Sequence, residues 1–252
     1  MKLQHTHKLD SEQALADLQV NMSNALTRAA HGLSLAEKRI IAACIAKTDQ
    51  VPNMIQVRQR GAWLVRLSAG DYAETFDVDL TTAYEQLHAA SENLFKRYVR
   101  TTRKTRKGVE EYKFVWVGGV RYHKGEGWVE LDWFHEVVPH LFGLRQEFTS
   151  YKLKQASALR SGYSWRLFEL LQSWKDTGLY QPTIEEFMLA MDAPTSCQTD
   201  FGRLRKRVIE PAVAELIQKN NMLIRWDTQR AGRKVISLEF KFEENPQRTL
   251  AV

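Results

Sequence analysis

The sequence predicts an α+β fold built as two tandem, pseudo-symmetric winged-helix domains. Three observations carry that expectation. A short helix, a tight turn and a longer helix occur twice, with similar residues at matching places. Each copy is followed by two β-rich runs joined by a turn. The positive charge is gathered into two segments at corresponding places in the copies. The 252 residues suit one large or two small domains, and 44% hydrophobic with 26% charged residues is a globular composition. The expected division is a flexible tail over 1–20, a first domain over 21–144 and a second over 145–245.

In chain order, Ser34 and Glu37 form a capping box, each side chain meeting a free backbone N–H of the other. Ile40, Ile41, Cys44 and Ile45 then give the helix one apolar face. Residues 48–62 are polar, with Pro52 and Gly61, and read as a loop or hairpin. Trp63–Leu67 reads as a strand. Ser68 caps a short helix carrying Tyr72 and Phe76 one turn apart. After the turn Asp77–Leu80, Thr81 or Thr82 caps a longer helix whose apolar face is Leu87, Ala90, Leu94 and Phe95. A basic run, Arg100–Lys107, connects it to a β-rich stretch, Tyr112–Val117. Trp128–Trp133 alternates apolar and acidic, as a half-buried strand does.

The second copy opens at Ser161 with an amphipathic helix, placing Tyr163, Leu167, Leu170, Leu171 and Trp174 on one face. Pro182–Asp192 lies on Leu67–Asp77 without a gap: Thr183 meets Ser68, Glu186 meets Asp71, Phe187 meets Tyr72 and Met191 meets Phe76. A turn about seven residues longer leads to the second long helix, where Ile209, Ala212 and Leu216 match Leu87, Ala90 and Leu94. Pro211 either starts a new helix or kinks this one. Leu223–Trp226, the basic turn Arg230–Lys234 and Val235–Phe240 make the second wing.

The net charge is +6, but residues 96–124 carry +8, residues 203–234 carry +6, and the remainder carries −8. Two basic segments on an acidic background point to a polyanion as partner. The long helix of a helix-turn-helix enters the major groove with its N-terminal residues at the base edges. Arg203, Lys206 and Arg207 share a face there, and an Arg fork matches guanine O6 and N7. They are expected to read bases. Arg205 points elsewhere, towards a phosphate; the alternative for this cluster is a solvated face paired with Glu210. The first copy has no Arg at its helix start. Its Lys96, Arg97, Arg100, Arg103, Lys104, Arg106 and Lys107, with Arg230, Arg233 and Lys234 of the second wing, suit phosphates. The first domain is thus expected to clamp and the second to read.

Signals of other classes are weak. No apolar run approaches ~18 residues, which argues against a membrane span, and the polar N-terminus reads as no secretory signal. Cys44 and Cys197 make no disulfide framework, so a reducing cytoplasm, in association with nucleoid or plasmid, is expected. There is no phosphate-binding loop and no CxxC or HExxH spacing, so no enzyme activity, cofactor or metal is expected. His5 and His7 match the two-histidine spacing of rolling-circle nickases, but they lie in a polar tail rather than an apolar strand.

Three segments carry a resemblance to the theta-type plasmid replication initiators that bind iterons, short direct repeats at an origin. They are Leu33–Arg39; Phe148–Leu153 leading to Ser161–Leu171; and Arg203–Ile209 followed by Val213–Leu216 and the wing. The resemblance implies monomers that bind origin repeats and open the adjacent duplex with the host initiator and replicative helicase. It also implies dimers, formed through the first domain and dissociated by chaperones, that repress their own gene and limit copy number. The expected dimer contact is Val129, Glu130, Leu131 and Asp132, on a strand placed at a sheet edge, where unpaired backbone groups invite a second copy. Two competing readings are a winged-helix transcription regulator without origin function and a nicking replication enzyme.

Overall fold

The structure, a computed structural model, describes residues 13–48, 63–142, 144 and 146–245. Most of the loop read over 48–62, the tail over 1–12 and both His5 and His7 lie outside the described residues.

Elements follow in the order β1 (Gln19–Ser23), α1 (Asn24–Arg28), α2 (Leu35–Thr48), β2 (Leu64–Ser68), α3 (Ala69–Phe76), α4 (Leu80–Asn93), β3 (Tyr98–Thr105), β4 (Gly108–Val115), β5 (Val117–His123) and β6 (Trp128–Trp133). The second half adds β7 (Phe148–Lys152), α5 (Leu153–Ser157), α6 (Gly162–Gln172), β8 (Leu179–Tyr180), α7 (Ile184–Ala190) and α8 (Thr195–Gln198). Then come α9 (Phe201–Leu204), a π-turn (Arg205–Ile209), α10 (Glu210–Lys219), β9 (Met222–Ala231) and β10 (Lys234–Glu244).

Both halves have one topology. Each sheet is ordered first, third, second: β2-β6-β5 and β8-β10-β9, all antiparallel. A helix leads into each first strand, and the helix-turn-helix sits between first and second strands. The caps that start these elements are those read in the sequence. Ser34 Oγ accepts from Glu37 N at 3.3 Å while Ser34 N donates to the Glu37 carboxylate at 2.7 Å. Thr183 and Glu186 do the same at 3.2 and 2.9 Å, and Ser68 caps α3. Ser161, read only as the start of a helix, also caps α6. One cap differs: Asp79, not Thr81 or Thr82, starts α4, accepting from Thr82 N at 2.8 Å. A carboxylate at a helix N-terminus also meets the favourable end of the helix dipole.

The core is continuous through both halves. Tyr72, Phe76, Leu87, Ala90 and Leu94 pack in the first; Phe187, Met191, Ile209, Ala212 and Leu216 pack in the second. Each large side chain buried contributes roughly 1.5–3 kcal/mol. Phe95 departs from its expected place and is 47% exposed, because the helix tightens to a 3-10 turn at Leu94–Lys96 and turns Phe95 outward.

The flexible tail ends earlier than expected. Leu18 and Val20 are buried, and β1 pairs with β7 from Gln19↔Lys152 to Ser23↔Phe148. This two-stranded ribbon spans the expected division at 144. The helix α6 is buried on every side rather than amphipathic. Its charged residues survive burial by mutual pairing. Glu169 meets Lys38 of α2 at 2.7 Å and Arg166 at 3.0 Å, and accepts from Tyr151 Oη at 2.8 Å. Burial by itself would raise the Glu169 carboxyl, but the two cations outweigh it and hold it below the usual range. Burial brings the Lys38 ammonium down to about 8. It also pushes the His31 imidazole well down, with Arg166 and Lys38 adding to the shift.

Candidate nucleic-acid interface

The second recognition element runs from Phe201 to Lys219. Asp200 caps it by accepting from Arg203 N at 3.1 Å. The helix then widens into the π-turn, in which Glu210 N donates to the Arg205 carbonyl five residues back. Pro211 accounts for this. It has no N–H to give, and in a regular α-helix its ring would strike the carbonyl four residues earlier. The helix neither restarts nor breaks; a wider turn absorbs the proline and sets the basic end apart from the packed end.

Leu204, Val208 and Ile209 face the core, while Arg203, Arg205, Lys206 and Arg207 all stand exposed. The four are not equivalent. Arg203 pairs with Asp200 at 3.2 Å and Arg205 with Glu210 at 2.7 Å. Such exposed pairs hold with only about 0–1 kcal/mol and exchange readily for a phosphate. Lys206 and Arg207 have no ion pair among the described residues. On the wing, Gly232 takes φ 62° at the tip, and Arg230, Arg233 and Lys234 around it are exposed.

In the first half, the start of α4 offers exposed Thr81, Glu85 and His88 and no cation. Its wing is the β5–β6 turn, held close to α4. Gly127 has φ 63°, and a Cβ there would lie 2.0 Å from the Tyr84 ring, so only glycine lets the turn rest on the recognition helix. This wing carries exposed Lys124, together with Arg121, which pairs with Glu130 at 2.5 Å. Sequence reading missed both as wing residues because it took Arg100–Lys107 for the basic connection. That run is instead part of a separate ribbon, β3–β4, inserted between recognition helix and wing and without a counterpart in the second half.

The expected phosphate contacts of this segment divide. Lys96, Lys104, Arg106 and Lys107 are exposed and, among the described residues, form no ion pair. Arg97 is tied to Glu37 by its Nε, at 3.0 and 2.9 Å to the two carboxylate oxygens. Arg100 is half-buried, and Arg103 pairs with Glu110 across the ribbon at 2.7 Å.

The strand of Val129, Glu130, Leu131 and Asp132 requires a correction. It is the middle strand, paired with β2 on one side and β5 on the other. Val129 and Leu131 are fully buried, and Glu130 is held by Arg66 at 3.1 Å and by Arg121. No backbone edge is left there for a second copy.

A duplicated winged helix, with a cation-bearing wing in each half and a basic recognition helix in the second, defines a class: tandem winged-helix proteins. The sequence model described as "Initiator Replication protein, WH1" matches residues 19–172, and that described as "Initiator Rep protein, WH2" matches 183–242. The chain therefore belongs to the initiator Rep protein family. An Escherichia coli "Replication initiation protein" is 26% identical over 243 residues, covering 94% of this chain and 73% of that one. An uncharacterised 27.6 kDa Escherichia coli protein is 25% identical over 237 residues, covering 91% and 96%. In fold, the chain is similar to the Pi initiator protein, solved in complex with iteron DNA. The TM-score is 0.69 at 19% identity, covering 92% of this chain and 99% of that one.

Proposed function

We propose that this chain is a plasmid replication initiator that binds direct repeats of double-stranded DNA at an origin through both winged helices. The observation that carries the reading is the repeated topology with its asymmetric charge. The second recognition helix presents Lys206 and Arg207, which have no ion pair among the described residues, whereas the first presents no cation and is followed in the chain by the exposed Lys96, Lys104, Arg106, Lys107 and Lys124. The second domain then reads most bases, and the first holds phosphates. Membership of the initiator family and the likeness to a protein solved on iteron DNA support the same reading.

On this reading the bound protein opens the neighbouring duplex and recruits the host initiator and replicative helicase, with no catalytic step of its own. As a dimer it represses its own gene. The edge such a dimer would use is that of β4, which among the described residues pairs only with β3. The test is footprinting on the DNA flanking the gene. A monomer protecting direct repeats supports the reading; a dimer protecting only an inverted repeat favours a regulator without origin function.

A further inference from the structure

The contacts between the two halves are duplicated around α2 and α6, the helices that lead into the first strand of each sheet. Arg39 stands five residues after the cap Ser34, and Arg166 five after the cap Ser161. Arg39 Nη2 donates to the Leu159 carbonyl at 3.1 Å, on the segment leading into α6. Arg166 Nη2 donates to the carbonyls of Thr27 and Ala29 at 2.9 and 2.7 Å, on the segment leading into α2. Each arginine thus holds the entry to the corresponding helix of the other half.

The ends of α3 and α7 repeat the exchange. Asp77 and Asp192 follow them in the left-handed region, at φ 49° and 48°. That conformation disfavours an ordinary residue, Asp less so and Gly not at all. Asp192 turns its carboxylate to the opposite half and accepts the backbone N–H of His31 at 2.8 Å and of Gly32 at 3.0 Å. At the end of α3 the hold is Arg160, whose Nη1 donates to the Phe76 carbonyl at 3.0 Å; the Asp77 carboxylate beside it is 97% exposed. Three residues after Phe76, Asp79 caps the recognition helix α4, so the Arg160 hold lies at the entry to that helix.

We propose that Arg39, Arg160, Arg166 and Asp192 form an interdomain clamp that fixes the angle and separation of the two recognition helices. They are positioning residues: they touch no DNA, yet they set which spacing between two contacted stretches of a repeat is accepted. The physical demand is strict, because one inserted base pair rotates the second groove by about a tenth of a turn. A rigid two-domain block cannot follow that rotation, whereas two loosely joined domains can. The clamp rests on the reading that both domains dock on one repeat.

The test uses Arg160→Ala and Asp192→Gly together. Glycine suits the left-handed backbone at 192, and alanine at 160 removes the guanidinium while the backbone N–H still donates to Glu215. Arg166→Ala is avoided because it would leave Glu169 short of a buried partner. Affinity is measured on the cognate repeat and on repeats with one or two base pairs inserted or removed between the protected stretches. The parent protein is expected to lose about tenfold or more per altered spacing, and the double variant less than about threefold. An unchanged spacing penalty in the variant overturns the clamp.

A parent with no spacing penalty would instead sink two-domain docking. The clamp is then judged without DNA, by the distance distribution between spin labels at Glu92→Cys and Glu185→Cys, both exposed sites, with Cys44 and Cys197 buried. A narrow distribution that broadens in the double variant upholds the clamp; one that stays narrow overturns it.

Discussion

Arg166 and Glu169, one helical turn apart on α6, are joined at 3.0 Å in an interior where their side chains are 6% and 0% exposed. Lys38 closes the pair into a triad, and His31 packs against it, with its Nδ1 3.2 Å from both Lys38 Nζ and Arg166 Nη1. Two cations already share the one Glu169 carboxylate, so a proton on His31 would add a further buried positive charge without a partner.

Stability is therefore expected to fall as pH drops below about 6.5, the ordinary histidine value. The His31 imidazole is held well below that value, so in this range the unfolded chain binds a proton that the folded chain does not. Protons then favour unfolding, by up to about 1.4 kcal/mol per pH unit. His140, also lowered, by burial, contributes in the same direction. Urea midpoints from pH 7.5 to 5.5 for the parent and His31→Gln isolate the His31 share. A variant as pH-sensitive as the parent contradicts it.

Arg207→Ala is expected to cost about 1–3 kcal/mol on the cognate repeat and to relax preference at one base pair. On random DNA the loss should be much smaller. Equal losses on both, measured by titration at one salt concentration, would show that Arg207 holds a phosphate rather than reading a base.

Lys104→Ala, Arg106→Ala and Lys107→Ala together should weaken all DNA alike and flatten the log–log salt slope by about two to three. Arg103→Ala should do less, because Arg103 already gives its charge to Glu110. An unaltered slope in the triple variant removes the β3–β4 ribbon from the interface.

Glu130→Arg should lower stability by about 1–3 kcal/mol, as it sets a third cation between Arg66 and Arg121 on the central strand. Thermal unfolding reads the loss. If the variant instead keeps its stability and changes only self-association by light scattering, the strand contributes to a dimer despite its place in the sheet.

What was legible in the sequence was local. Capping residues announce themselves at fixed spacing, and Ser34 with Glu37, Ser68, and Thr183 with Glu186 all cap as the sequence indicates. Buried faces at helical spacing were legible for the same reason. What hid was non-local. Trp128–Trp133 looks alike as a middle or an edge strand, and only its pairing with β2, more than sixty residues earlier, decides. The pairing of Lys38, Arg166 and Glu169 has no mark in the sequence, because Lys38 lies in another element and the Arg166–Glu169 pair gains its meaning only once α6 is enclosed. The basic run misled for a different reason: a wing and an inserted ribbon share the same β-rich, basic composition. In the candidate interface, the recognition-helix cations were legible, and the division into paired and free cations was not, since Asp200 and Glu210 decide it in three dimensions.

The central claim is that both winged helices of one monomer dock on one repeat. Hydroxyl-radical footprinting of the monomer on a single repeat tests it most directly. Two recognition helices in successive major grooves lie one helical turn apart, about 10.5 base pairs, so protection should extend over roughly two turns on one face. Lys206→Ala with Arg207→Ala should erase the turn read by the second domain. Protection confined to a single turn in the parent protein would contradict the account.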